Sequence, residues 1–179
     1  LHELHELGLI DRLPRLAVIQ AAGANPLYRG YRAGFSTHER VEAHTLATAI
    51  KIGDPVNYDK AVRALRWTDG VVEEVTDQEI LDAKAQIDAS GIGCEPASAC
   101  ALAGARKLAE GGVIRPDEKV VGILTGHVLK DPSIIVDYHA DQLGGIAARY
   151  ANHLHRIEPS LNAVRELLAA VGNEELEHV

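Results

Sequence analysis

The most suggestive position in the chain is a hydroxyl. Thr125 follows the apolar run Lys119-Val120-Val121-Gly122-Ile123-Leu124 and precedes Gly126 and His127. The run predicts a buried strand, and ligands of open parallel sheets bind beyond the carboxyl ends of strands. Gly126 would let a ligand approach the backbone, and the Thr125 hydroxyl can donate or accept a bond there. The same spacing also fits a plain turn that leads into the next element.

Other reactive side chains give weaker signals. His2 and His5, each followed by a glutamate, Glu3 and Glu6, lie on one helical stretch, but the spaced His-Glu-x-x-His pattern of a metal site is absent. A solvated helix face is the expectation. His153 and His155 are expected at the surface. Cys94 and Cys100 are two thiols in one short stretch, too few for a disulfide framework. No basic cluster adjoins them to lower a thiol pKa, so both are read as buried and inert. Trp67 stands alone and is read as packing.

These residues need elements to position them. Arg15 to Ala21 is a short apolar run between Pro14 and Gly23, which predicts a buried strand. Asn25-Pro26 opens a helix, with Asn25 as cap and Pro26 at the first helical position, continuing to Gly34. Thr45 to Pro55 is a run of small residues that ends in breakers. Asn57 to Thr68 is a helix, Val71 to Val75 a strand. Thr76 and Glu79 form a capping box for a helix reaching about Ser90. Pro96 opens an Ala-rich helix that stops at Gly111-Gly112. Residues 141–154 read as helix-like, and Pro159-Ser160 caps a last helix through Ala170, followed by an acidic tail that frays. Strands separated by helices require parallel pairing with crossovers. The fold class is therefore α/β, an open twisted, mostly parallel sheet flanked by helices. The chain divides into a core over 1–140 and a helical extension over 141–179.

Composition narrows the function further. The chain has 179 residues, 46% of them hydrophobic and 25% charged, so a packed core is expected. With one Phe and one Trp, that core must rest on Ala, Leu, Ile and Val. A formal net charge of −8 argues against nucleic acid or an acidic membrane as partner. No apolar run approaches the ~20 residues of a membrane span. The opening residues, His2, Glu3, His5 and Glu6, are unlike a secretory signal. The sequence has no Met, and Leu1 to Gly8 reads as the end of an amphipathic helix. Both features predict a segment of a longer protein.

Four ordered motifs carry a resemblance. They are Gln20-Ala21-Ala22-Gly23-Ala24-Asn25-Pro26, Ala47-Thr48-Ala49-Ile50-Lys51-Ile52-Gly53-Asp54-Pro55, Cys94-Glu95-Pro96-Ala97-Ser98-Ala99 and Ile123-Leu124-Thr125-Gly126-His127-Val128-Leu129-Lys130-Asp131-Pro132. Together they make residues 9–138 resemble the threonine synthase family, of the tryptophan-synthase-β type. The resemblance implies the larger domain of a type-II pyridoxal-phosphate fold, incomplete here. It implies pyridoxal 5'-phosphate as cofactor and a lyase of amino-acid biosynthesis. The reaction would convert O-phospho-L-homoserine and water to L-threonine and phosphate in the cytoplasm.

It also implies roles. Thr125 would hydrogen-bond the pyridine nitrogen of the cofactor, a neutral partner that does not force the nitrogen to be protonated. Ala47, Thr48 and Ala49 would line the flat ring. Glu95 would lie near the ring edge, although a Glu at a helix start is favourable through the helix dipole alone. Gly126 completes the set. The Schiff-base lysine and the loop that holds the cofactor phosphate belong to a family segment upstream of these motifs. Lys130 and Lys51 match family positions that are not catalytic, and surface or ion-pairing roles are expected. The partners implied are a small-molecule substrate and the N-terminal half of the same enzyme. The family is often dimeric, which leaves a homodimer open. Two alternatives stand beside this reading: another enzyme of the same fold, such as threonine dehydratase or cysteine synthase, and an inert folded fragment.

The lysine reading is testable at once. Mixed with pyridoxal phosphate and treated with borohydride, residues 1–179 should give no stoichiometric label on a single lysine by peptide mapping. Specific labelling at Lys130 or Lys51 overturns the assignment.

Overall fold

The computed structural model describes residues 1–152 and 154–176. The elements are α1 (His2–Glu6), β1 (Ala17–Ala21), α2 (Pro26–Arg32), α3 (Tyr58–Trp67), β2 (Val71–Val75), α4 (Asp77–Ala89), α5 (Pro96–Glu110), α6 (Pro132–His139) and α7 (Leu161–Leu176), with a 3-10 turn at Thr48–Ile50. β1 and β2 pair in parallel, Ala17 opposite Val71 and Ala21 opposite Val75. Parallel neighbours require a crossover, and α2 and α3 supply it.

Helices cover both faces of this pair, as the period-2 alternation of its side chains demands. On one face Ile19, Ala21 and Val75 meet Ile80, Ala83 and Ile87 of α4 and Ala99, Cys100 and Ala103 of α5. On the other, Val18 and Val72 pack with Leu27, Tyr58, Val62 and Leu65. The α/β class and its helix-flanked parallel sheet agree with the sequence reading.

α4 is the best specified helix. Thr76 Oγ1 accepts from the Glu79 backbone N–H at 3.2 Å, and Glu79 returns a bond to the Thr76 N–H at 2.6 Å. Its outer side carries a second small core, Leu81 and Ala85 against Tyr138. There Tyr138 donates to Asp82 at 2.7 Å, and Gln78 and Arg149 hold the same carboxylate at 2.8 and 3.3 Å.

Several element expectations differ from the structure. The 119–124 run is not a strand. Val120, Val121 and Ile123 are exposed, and no ladder includes them, because a strand forms only against a neighbour. Asn25 occupies the cap position of α2 but makes no capping bond. Its amide reaches Glu74 and Arg29 instead. No described residue of the 141–154 stretch is helical. Asp141 and Gly145 have positive φ, 55° and 78°, and Ala147 is held on both backbone groups by Gln78. The helix lies before it, at α6. α7 continues past Ala170 to Leu176. His153 and the last three residues of the acidic tail lie outside the described residues.

α5 reaches β1 closely at Gly104. A Cβ there would meet Ile19 Cδ1 and Cγ1 at 2.3 Å. Gly104→Ala should therefore lower the urea midpoint, since overpacking costs about 1–3 kcal/mol and the helix propensity gained is only about 1 kcal/mol. In an Ile19→Ala background the clash disappears and the same substitution should raise the midpoint. An unchanged sign in the double mutant would show that the contact does not limit the packing.

Candidate functional site

The start of α5 is where three distant segments meet. Pro96 fits the first turn because its missing N–H would be unpaired there. Glu95 precedes it in an extended conformation as the N-cap. Ser98 sits three residues on, buried, and faces the incoming loop.

Ser98 holds that loop. Its Oγ accepts the backbone N–H of Thr125 at 3.1 Å and of Gly126 at 3.0 Å. A serine hydroxyl has two acceptor positions and one proton, so both acceptor positions are used. The proton is left for Glu95 Oε1 at 3.5 Å or Thr125 Oγ1 at 3.4 Å. The Glu95 N–H donates back to the Gly126 carbonyl at 3.0 Å. Residues 125 and 126 are thus tied to the helix start through both backbone and side chain.

Glu95 lies beneath Gly126. The carboxylate is buried, with the residue 3% exposed. A Cβ on residue 126 would stand 1.9 Å from Glu95 Oε1, so this carboxylate occupies the space that any larger residue would need. Oε2 makes no aligned hydrogen bond, but Lys130 Nζ approaches to 3.2 Å. A buried carboxylate without a cation would be costly. Lys130 is therefore an ion-pairing residue, as expected, and its ammonium is committed to Glu95. Glu95 occupies the N-cap of α5, where a carboxylate is favourable through the helix dipole, although its side chain makes no capping bond.

The 47–49 strip arrives from a third direction. Asp77, at the start of α4, accepts from the Thr45 hydroxyl at 2.5 Å and the Leu46 N–H at 3.0 Å. Ala47 is then fully buried in the main core, whereas Thr48 and Ala49 are exposed. Thr48 Oγ1 donates to Asp131 Oδ2 at 2.5 Å. Asp131 adjoins Lys130, holds φ at 52° and occupies the N-cap position of α6 without a side-chain capping bond. The chain of contacts Thr48–Asp131, Lys130–Glu95 and Ser98–Thr125 joins the strip to the hydroxyl loop. Thr125 itself is exposed.

All six sequence-derived site positions fall in this one neighbourhood. Ala47 differs from the ring-lining expectation in being closed off from solvent. Ser98, Asp77 and Asp131 are additional positions. Ser98 was visible as a hydroxyl three residues into a helix that starts at Glu95-Pro96, and Asp131 as an acid before Pro132. What each would hold was not visible.

The remaining candidates add no reactive group. Cys94 and Cys100 are buried. Burial pushes the Cys100 thiol up to about 12, with Asp77 adding to it, and burial also raises Cys94. His2 pairs with Glu6 at 3.3 Å and stacks on Trp67. Among the described residues no group of three His, Cys, Asp or Glu could hold a metal ion. No described helix is long and apolar enough to cross a membrane.

Electrostatically the exposed part of the site offers a neutral hydroxyl. The carboxylates of Glu95 and Asp131 are engaged by Lys130 and Thr48. A heteroaromatic nitrogen would meet a neutral donor here. Ala49 is small and exposed, so a flat ring could approach the strip there. No free cation among these side chains suits a phosphate. The residues present therefore fit the ring of pyridoxal phosphate and not its phosphate group.

Comparisons with known proteins agree in extent. Residues 2–126 match the family described as pyridoxal-phosphate dependent enzyme. The chain is 41% identical over 169 residues to threonine synthase 2, chloroplastic, of Arabidopsis thaliana, covering 93% of this chain and 33% of that one. It is 48% identical over 139 residues to the threonine synthase of Methanosarcina acetivorans, covering 75% and 34%. The crystal structure of threonine synthase from Escherichia coli shares the fold, with a TM-score of 0.57 at 19% identity over 88% of this chain and 38% of that one. The chain spans about a third of the length of the curated relatives it matches.

The Ser98 clamp makes a local prediction. Ser98→Ala removes the acceptor of two N–H groups, and an unsatisfied buried group costs about 1–3 kcal/mol. The amides of Thr125 and Gly126 should exchange with deuterium about 5- to 150-fold faster, at 1.4 kcal/mol per tenfold. Exchange within α4 should change much less. Unaltered exchange at 125 and 126 would remove Ser98 from this role.

Proposed function

The chain belongs to the pyridoxal-phosphate dependent enzyme family, and from that premise we propose that it is the ring-binding part of a threonine synthase. The reaction proposed converts O-phospho-L-homoserine and water to L-threonine and phosphate. The observation that carries this reading is the Thr125 hydroxyl, exposed at the α5 start and fixed by Ser98 through its own N–H and that of Gly126.

When bound, the cofactor supplies an electron-withdrawing ring that stabilises negative charge next to the amino-acid nitrogen. The chain's own residues position that ring. Thr125 Oγ1 would donate to the pyridine nitrogen, a neutral partner that does not force it to be protonated. Thr48 and Ala49 would lie along the ring, the backbone at Gly126 would approach it, and Ala47 backs the strip from the core. Glu95, paired with Lys130, fills the space under Gly126 and fixes the height of the loop. The proton-transferring lysine and the phosphate-binding loop come from the remainder of the enzyme. We read residues 1–140 as part of the catalytic core and 141–179 as an extension. A homodimer and a cytoplasmic location rest on the resemblance alone.

The test joins residues 1–179 to the part of the Methanosarcina acetivorans threonine synthase that lies outside the match. The hybrid should release phosphate from O-phospho-L-homoserine. Keto-acid formation from threonine without phosphate release would favour a dehydratase instead. Thr125→Val keeps the shape and removes the hydroxyl. Losing a bond to a buried nitrogen costs about 1–3 kcal/mol, so turnover or cofactor affinity should fall about 5- to 150-fold. Wild-type turnover, affinity and absorption spectrum in that variant would return Thr125 to a plain turn.

A further inference from the structure

Helix α4 carries two carboxylates that hold different segments. Its inner face is fixed to the main core by Ile80, Ala83 and Ile87. Asp77, at its start, accepts from the Thr45 hydroxyl and the Leu46 N–H, and so holds the 45–49 strip. Asp82 lies about 7.5 Å further along the axis, at 1.5 Å per residue, and is buried. Its carboxylate accepts from the Tyr138 hydroxyl at 2.7 Å, from Gln78 at 2.8 Å and from Arg149 at 3.3 Å. A buried carboxylate needs such donors and a cation.

Tyr138 is the buried residue of α6, 2% exposed. A helix this short is marginal without tertiary packing, so one buried side chain weighs heavily on its direction. The Tyr138 hydroxyl is used twice. It donates to Asp82 and accepts the Tyr150 N–H at 3.2 Å. Burial and the bond to Asp82 push its pKa up to about 12, so the proton stays on the tyrosine at neutral pH. The ring shares a cluster with Leu81 and Ala85 of α4, Leu46 of the strip and Ile134 of α6.

The other end of α6 is at the candidate site. Asp131, in its N-cap position, accepts the Thr48 hydroxyl at 2.5 Å, and Lys130 pairs with Glu95 at 3.2 Å. Strip, α6 and α4 therefore close a circuit: Asp77 to Leu46, Thr48 to Asp131, Tyr138 to Asp82. Release of Tyr138 would leave α6 to pivot, and Asp131 and Lys130 would move with it.

We propose that Tyr138 is a positioning residue for the ring-binding site: its bond to Asp82 sets the direction of α6, and α6 sets where Asp131 meets Thr48 and Lys130 meets Glu95. The activity it tunes rests on the threonine-synthase reading, whereas the contacts it orders belong to this chain alone. Tyr138 stands two helical turns from Asp131, so its effect on turnover must pass through the helix.

Tyr138→Phe keeps the ring and removes the hydroxyl. In residues 1–179 the Tyr150 amide, which loses its acceptor, should exchange with deuterium about tenfold faster. The amides at the site end, Leu46, Ala47 and Lys130, should follow by at least about threefold. In the hybrid with the Methanosarcina acetivorans segment, kcat for O-phospho-L-homoserine should fall about tenfold, as for one hydrogen bond to a charged group. KM should stay within about twofold, because the hydroxyl does not meet substrate. Asp82→Asn keeps an oxygen for the Tyr138 O–H and should retain most of the turnover. Leu65→Ala, in the core on the other sheet face, should lower the thermal midpoint at least as much and leave turnover unchanged. In a Thr48→Val background, where Asp131 has lost its donor, Tyr138→Phe should cost less than about twofold in kcat. Site-end amides that exchange at the wild-type rate in Tyr138→Phe overturn the proposal. So does a turnover loss that Leu65→Ala reproduces, or one that adds in full to Thr48→Val. A hybrid that releases no phosphate removes the threonine-synthase activity, and the exchange of Leu46, Ala47 and Lys130 then decides the positioning role by itself.

Discussion

Helix α5 can lie against β1 only because residue 104 has no side chain, and most of the molecule follows from that approach. With Ile19 filling the space over Gly104, α5 comes close enough for Ala99, Cys100 and Ala103 to join the core formed by Ala21, Val75 and α4. A core with so few aromatics gains its apolar area from many small contacts, and small residues bury little each. Close backbone approach compensates. The same packing fixes the direction of α5 and so places its first turn, Glu95 to Ser98, where the 125–131 loop can be held.

At that turn the forces change from packing to hydrogen bonding. Ser98 is a small residue with three hydrogen-bonding positions, and the loop uses all of its acceptor capacity. Glu95 is a buried charge whose stability depends on Lys130, and Gly126 is the residue that leaves space for it. Each member satisfies a requirement that another creates. Such mutual satisfaction is how a loop becomes as fixed as a helix. It also leaves the Thr125 hydroxyl exposed on a stationary backbone, which a ligand-binding hydroxyl needs.

The sheet shows the opposite condition. Two strands make the smallest parallel pair, and parallel sheets are normally covered on both faces and extended on their edges. Here both faces are covered and one edge is guarded by Lys107, whose Nζ donates to the Glu74 carbonyl at 2.7 Å, but the edge of β1 faces an apolar groove. The 119–124 run has strand composition without strand pairing. Local sequence can favour an extended backbone, but hydrogen-bond partners lie on other segments.

The elements decided by short-range rules were legible in the sequence. The capping box of Thr76 and Glu79, the Pro96 start of α5, the Gly111 stop and the β-branched Val71, Val72 and Val75 all act within a few residues, so a linear reading finds them. The α/β class followed from their order, and the four motifs located Thr125, Gly126, Glu95 and the 47–49 strip. Three-dimensional proximity decided the rest. The sequence put Asn25 at a cap, but Glu74 and Arg29 drew its amide away. It read residues 141–154 as helical, but Gln78 and Tyr138 engage the backbone of Ala147 and Tyr150. It marked Lys130 for ion pairing without naming Glu95, and it did not mark Ser98 as the acceptor for two amides. A side chain's composition sets what bonds it can make, whereas its partners are chosen by packing between residues tens of positions apart.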